Sequence, residues 1–247
     1  MKEVVRALLS RFGYQIVKAD PPGRPTEKSP YGVIFPEATF SPWAADRDFL
    51  DAYEAIRDHT LVDIYRCFEL WSLVDQSRKL EGALLEVGVW RGGTGALIAR
   101  RAKLSGIPDR VYLCDTFTGV VKASSKDAFY SGGEHSDTSR EQVDRLLRQM
   151  RLDNVSILPG VFPDETATHI DDRQFRLCHI DVDVYQSASA VLDWVWARLV
   201  VGGVVIYDDY GFANCSGVTR HVDEQRMRSD RLVIHNLNGH AIVLKIR

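Results

Sequence analysis

Two periodicities divide the chain. Between residues 49 and 74, Phe49, Tyr53 and Ile56, and then Leu61, Ile64, Tyr65, Phe68, Trp71 and Val74, recur at three- and four-residue spacing. That is the pattern of two amphipathic helices, each with one apolar face in need of a partner. From residue 83 the pattern becomes a series of short apolar runs: Ala83–Val87, Arg110–Cys114, Val155–Leu158, Phe175–Ile180 and Gly203–Tyr207. Helical stretches near 94–105, 138–150, 187–200 and 217–228 separate them. Runs this short, alternating with helices, predict an α/β fold built on a doubly wound, largely parallel sheet. The last two runs break the alternation. Arg231–Asn236 and Ala241–Ile246 flank Leu237-Asn238-Gly239-His240, whose Asn-Gly pair predicts an antiparallel hairpin at the end of the sheet.

Residues 1–80 read as a helical and irregular cover and residues 81–247 as a Rossmann-like domain. Pro21, Pro22, Pro25, Pro30, Pro36 and Pro42 crowd one interval of the cover. Each fixes φ and lacks a backbone donor, so a loop is expected there. Hydrophobic residues make up 45% of the chain and charged residues 26%, the balance of a globular protein with a full core. The 31 basic and 34 acidic residues are interspersed, which argues against a nucleic-acid partner. Lys2, Glu3 and Arg6 interrupt the apolar residues of segment 1–12, and no run reaches the ~20 apolar residues of a membrane span. A soluble, cytoplasmic protein is expected. The four cysteines are dispersed without a CxxC pair, and Cys114 and Cys178, in strand-like runs, are expected to be buried thiols.

The most informative local motif is Glu86-Val87-Gly88-Val89-Trp90-Arg91-Gly92-Gly93-Thr94-Gly95, which follows a predicted strand and opens a predicted helix. Glycines there allow a tight turn and close approach of a ligand, and the helix N-terminal amides face an anionic group. A dinucleotide fingerprint requires glycine where Trp90 stands, which argues against NAD and FAD and so against a nucleotide-dependent oxidoreductase. The E-x-G-x-x-x-G-G form resembles the turn that receives the methionine part of the cofactor in S-adenosylmethionine enzymes. Asp115, ending the next run, is placed to accept hydrogen bonds from ribose hydroxyls, so that Glu86 and Asp115 bracket one cofactor. Gly160 and Phe162 follow the third run and are expected beside the adenine.

A second cluster is acidic. Asp181 and Asp183 end the fourth run; two apart on an extended strand, they would point the same way at about 6–7 Å. Asp208 and Asp209 end the fifth run, and neighbouring strands would bring all of these carboxylates together. Helix capping is the bland alternative for any one of them. Together they call for a counter-ion, and oxygen-only ligands favour a hard cation, Mg²⁺ first. Such an ion lowers the pKa of a hydroxyl while a neighbouring carboxylate removes its proton.

In these motifs the chain resembles the macrocin O-methyltransferase family, Mg²⁺-dependent sugar O-methyltransferases of antibiotic pathways. The resemblance covers roughly residues 55–245, through Glu86 to Thr94, Asp115-Thr116-Phe117, Gly160-Val161-Phe162-Pro163-Asp164, Asp181-x-Asp183-x-Tyr185-x-Ser187 and Asp208-Asp209-Tyr210. It implies a class I methyltransferase fold, a metal held by Asp181, Asp208 and Asp209, Asp183 as general base, and a cofactor held by the turn (Glu86, Gly88, Trp90, Gly92, Gly93, Thr94) and Asp115. The acceptor implied is a small hydroxylated molecule, a sugar, whose adjacent hydroxyls meet the metal. Val182 and His179 depart from the family pattern, which usually has glycine between the aspartates and arginine or a similar residue before them. The polar, Gly-containing interval Lys122 to Arg140 has the length of a lid; His135 within it, Tyr185 and Tyr210 are candidate acceptor contacts. A non-sugar vicinal diol and a non-catalytic nucleotide-binding protein are the remaining alternatives, and the aromatic N-terminal helices suit either homo-oligomerisation or covering the acceptor.

Overall fold

The computed structural model describes residues 38–247 together with Leu9, Tyr31 and Ile34. The prolines from Pro21 to Pro36 and, Leu9 aside, segment 1–12 lie outside the described residues. The two amphipathic segments form α1 (Arg47–Ile56) and α2 (Ile64–Ser77). Each begins on an aspartate. Asp46 accepts the Phe49 amide at 3.0 Å, and Asp63 accepts those of Tyr65 and Arg66 at 2.9 and 3.1 Å, so side-chain oxygens replace the partners that the first helical turn lacks. Asp46 also accepts the indole N–H of Trp71, tying α1 to α2.

The apolar runs form β1 (Ala83–Val87), β2 (Val111–Asp115), β3 (Val155–Pro159), β4 (Phe175–Ile180), β5 (Leu199–Tyr207), β6 (Arg231–His235) and β7 (Ala241–Lys245). They make one sheet in the order β3-β2-β1-β4-β5-β7-β6. β1 to β5 are parallel, and the β6–β7 hairpin joins β5 antiparallel, as its Asn-Gly turn predicts. The strands are linked by α3 (Gly93–Leu104), α4 (Arg140–Gln149), α5 (Tyr185–Trp196) and α6 (Ser216–Gln225). Alternation along the strands divides two cores. Leu84, Leu113, Leu177, Ile206 and Ile242 face α1 to α4. Leu85, Val87, Cys178, Ile180, Val205 and Val243 face α5 and α6. Contacts group Thr39–Arg247 as one compact unit, α1 and α2 included.

The boundary between α5 and β5 differs from expectation. The helix ends at Trp196 and the strand begins at Leu199, four residues before the expected Gly203. The β-branched Val200 and Val201 suit a strand, Gly202 takes φ +85°, and the register shifts between Phe175 and Leu177, so the pairing absorbs the irregularity. Cys67, Cys114, Cys178 and Cys215 are free and buried. Among the described residues, no helix is long and apolar enough to cross a membrane. What positions a site is the reversal of strand order at β1 and β4, which opens a crevice beyond their carboxyl ends.

Candidate active site

That crevice holds a cavity of 310 Å³, within the range of small-ligand pockets. One end is the turn after β1. Gly88 lies at φ +87° with its back against β4, where a Cβ would fall 1.6 Å from the Asp181 carbonyl oxygen, so no other residue fits the turn. Asp115 sits across from it. Its Oδ2 accepts the amides of Val89 at 2.6 Å and Trp90 at 2.8 Å, and Oδ1 accepts that of Phe117 at 2.6 Å. Asp115 therefore shapes the turn, with lone pairs left over for hydroxyls. Gly88, Trp90, Thr94, Asp115, Gly160 and Phe162 line the cavity.

The other end is acidic. Asp181, Asp183, Asp208 and Asp209 all line the cavity, and Asp181, Asp208 and Asp209 each offer an oxygen within 4.8 Å of the others. The route to this convergence differs from the extended strand expected. β4 stops at Ile180 and the chain turns, with Asp183 at φ +64°; Asp209 repeats this at φ +62°. Aspartate tolerates the left-handed region better than most residues, at a cost that functional sites commonly carry.

Electrostatics separates the carboxylates. Burial, then the charges of Asp208, Asp209 and Asp183, pushes the Asp181 carboxyl well above the usual carboxylate range. Burial and the charges of Asp208 and Asp183 do the same for Asp209. Asp183 is raised by burial, against the hydrogen bond from Tyr130 and the charge of His135. Asp208 goes the other way: burial opposes its ionisation, but the hydrogen bond and charge of His240 and the charge of Arg66 hold it below the usual range. A cluster that favours protonation at three carboxylates is short of positive charge, and its all-oxygen donor set fits a hard cation.

Sequence reasoning missed several of these partners. Arg66 donates to both oxygens of Asp208 at 2.7 Å, and His240 Nε2 lies 3.0 Å from Asp208 Oδ1. The Tyr130 hydroxyl donates to Asp183 Oδ1 at 2.6 Å. Tyr130 belongs to the 116–139 segment between β2 and α4, which contains nearly all of the expected lid, Lys122 to Arg140, and is tied down at several points. The Trp90 indole N–H and the Arg91 guanidinium donate to Asp137, and the Thr138 hydroxyl to the Trp90 carbonyl. At the far side Asp127 accepts the Tyr185 amide at 2.8 Å, and Ser187 donates to the Val121 carbonyl at 2.8 Å.

Some expected site residues lie elsewhere. Glu86 does not line the cavity: it is fully buried behind the turn, 2.8 Å from His179 Nδ1. Its alternation along β1 aims it at the α2 face, opposite Val87. Gly92 and Gly93 shape the turn without lining the cavity; Gly93 lies against the His59 carbonyl. Tyr185 and Tyr210 are also outside it. Their hydroxyls donate to Glu224 and Asp223, both at 2.7 Å, which carries the rings toward α6. His135 does line the cavity, at its exposed mouth.

The chain is similar to proteins of known activity. The Macrocin-O-methyltransferase (TylF) family matches residues 51–238. The chain is 30% identical over 184 residues to demethyldecarbamoylnovobiocin O-methyltransferase of Streptomyces niveus, covering 70% of this chain and 69% of that one. It is 32% identical over 171 residues to 8-demethyl-8-(2,3-dimethoxy-alpha-L-rhamnosyl)-tetracenomycin-C 4'-O-methyltransferase of Streptomyces olivaceus, covering 64% of each. Among solved structures, the O-methyltransferase NovP superposes with a TM-score of 0.68 at 27% identity, over 76% of this chain and 83% of that one. The fold is thus that of the class I O-methyltransferases, and with its family matched from the middle of α1 to the β6–β7 turn, the chain belongs to the macrocin O-methyltransferase family.

Proposed function

We propose that the protein is an S-adenosylmethionine-dependent and Mg²⁺-dependent O-methyltransferase whose acceptor is a hydroxyl of a sugar or of a sugar-bearing natural product. The observation that carries this reading is a single cavity walled at one end by the Gly88 turn and Asp115 and at the other by Asp181, Asp183, Asp208 and Asp209. A reaction joining a cofactor to a hydroxyl needs both ends. The rhamnosyl acceptor in the name of the Streptomyces olivaceus relative supports a sugar.

In this reading the turn and Asp115 hold the cofactor, with Gly160 and Phe162 beside the adenine, and Asp181, Asp208 and Asp209 hold the cation. When bound, these groups supply an electrophilic methyl on a sulfonium and a Lewis acid that lowers the pKa of a nearby hydroxyl. The residues of the chain do the rest. Asp183 accepts the hydroxyl proton at its carboxylate, while Tyr130, already donating to Oδ1, fixes the rotamer. Arg66 and His240 keep Asp208 ionised. His135, at the mouth, contacts the acceptor.

Asp183→Asn tests the assignment. Turnover should fall by about 10²- to 10⁴-fold, while S-adenosylhomocysteine binding, measured by calorimetry with Mg²⁺ and again with EDTA, stays near that of the parent. Full activity in Asp183→Asn would remove it as the base, and no binding under either condition would overturn the cofactor reading.

A further inference from the structure

We propose that the protein has a second metal site, distinct from the acidic cluster: a buried site made by His179, Asp208 and His240 that takes a borderline first-row dication, Zn²⁺ in the first instance. It shares Asp208 with the cation site above but stands on its own observations.

The sheet register brings the three residues together. Glu86, His179, Ile206 and Ile242 lie side by side across β1, β4, β5 and β7. Asp208 is two residues beyond Ile206 and His240 two before Ile242, so alternation places both on the face that carries Glu86 and His179. That face is roofed by α2, which adds Arg66 and Glu69. His179 and His240 are fully buried and Asp208 is 3% exposed. One nitrogen of each ring and one oxygen of Asp208 all lie within 4.8 Å of one another.

Each imidazole is held by a carboxylate on its far side. His179 Nδ1 lies 2.8 Å from Glu86 Oε1, and His240 Nδ1 lies 2.6 Å from Glu69 Oε2. Glu69 is in turn held by the side-chain amides of Asn236 and Asn238. A carboxylate at Nδ1 turns Nε2 inward, which is how metal-ligating histidines are oriented; His179 Nε2 then offers its lone pair, and at His240 the ion takes the place of the proton that Nε2 otherwise shares with Asp208. His179 Nε2 has no hydrogen-bond partner among the described residues. A buried polar atom without a partner calls for an explanation, and an ion between the rings supplies one. Ligand bonds of about 2.0–2.2 Å place tetrahedral ligand atoms roughly 3.3 Å apart. The 3.0 Å between His240 Nε2 and Asp208 Oδ1 is near that spacing. Two imidazoles and a carboxylate favour zinc, cobalt or iron over magnesium. Both oxygens of Asp208 accept from Arg66, and each keeps a further lone pair, one for this ion and one for the cation of the acidic cluster. Neither histidine lines the cavity, so the ion fastens β4 and the β6–β7 turn beneath α2 and fixes the aim of Asp208.

The test uses full-length protein stripped with EDTA and returned to excess Mg²⁺, which fills the hard-cation site and leaves only a softer one to read. Added Co²⁺ should bind at one equivalent, survive desalting and give a visible d–d absorption, with X-ray absorption showing two imidazole nitrogens. Glu69→Gln and Glu86→Gln should each weaken Co²⁺ binding by about 10- to 100-fold, and His179→Gln or His240→Gln by more. Failure to retain Co²⁺ in Mg²⁺ would overturn the proposal. An oxygen-only shell would do the same, as would unchanged affinity in both histidine variants. Should those variants not fold, the wild-type absorption spectrum decides alone, and none of these readouts depends on methyl transfer.

Discussion

Asp183 and Tyr130 show how one side chain sets the working state of another. The Tyr130 hydroxyl donates at 2.6 Å to a carboxyl that burial pushes upward, and this bond partly offsets the push. Removing it with Tyr130→Phe should lower kcat more than it raises KM and move the acid limb of the kcat/KM profile to higher pH. A profile that stays in place would show that Tyr130 does not tune the base. The four aspartates were legible from sequence because they end two adjacent apolar runs. Tyr130 was not, being one polar-loop aromatic among several, 53 positions from its partner. Tyr185 and Tyr210 erred in the opposite direction: proximity to the aspartate motifs suggested the cavity, whereas carboxylates on α6 capture their hydroxyls.

At the scale of elements, the start of α2 couples stability to the site. Asp63 caps the helix through two amides and also accepts Arg66 Nε at 2.9 Å, and Arg66 in turn grips Asp208. Asp63→Ala should cost about 1–2 kcal/mol, read as a lower urea midpoint at unchanged slope. The strands and the hairpin were readable because short apolar runs, buried on both faces in β1 and β4, and the Asn-Gly turn are local signals. The end of α5 was not, since Trp194 to Val201 is apolar in a way that suits helix and strand alike. The turns that aim Asp183 and Asp209 were also hidden: a positive φ at aspartate is imposed by the packing of neighbouring strands and leaves no mark in the spacing of residues.

For the whole molecule, the buried polar groups set the acid limit of the fold. His221 is 2% exposed, with Nε2 3.1 Å from the Tyr207 hydroxyl. Burial lowers it from 6.5 to about 4. The unfolded chain therefore takes up a proton that the folded one refuses. The contribution of His221 is intact above 6.5, and up to about 3 kcal/mol is lost as pH falls toward 4. Melting temperature followed from pH 7 to 4 should drop less steeply in His221→Gln than in the parent; parallel curves would count against this origin. Arg66 and His240, which reach Asp208 across 142 and 32 positions, belong to the same scale. Only the finished sheet brings them together, so no motif announces them. The 116–139 segment is tied to the Gly88 turn through Asp137 and to the base through Tyr130. A strap held at these two points predicts that arrivals and departures are sequential. S-adenosylhomocysteine should inhibit competitively against the methyl donor and noncompetitively against the acceptor, the signature of an obligatory order in which the donor enters first and its spent form leaves last.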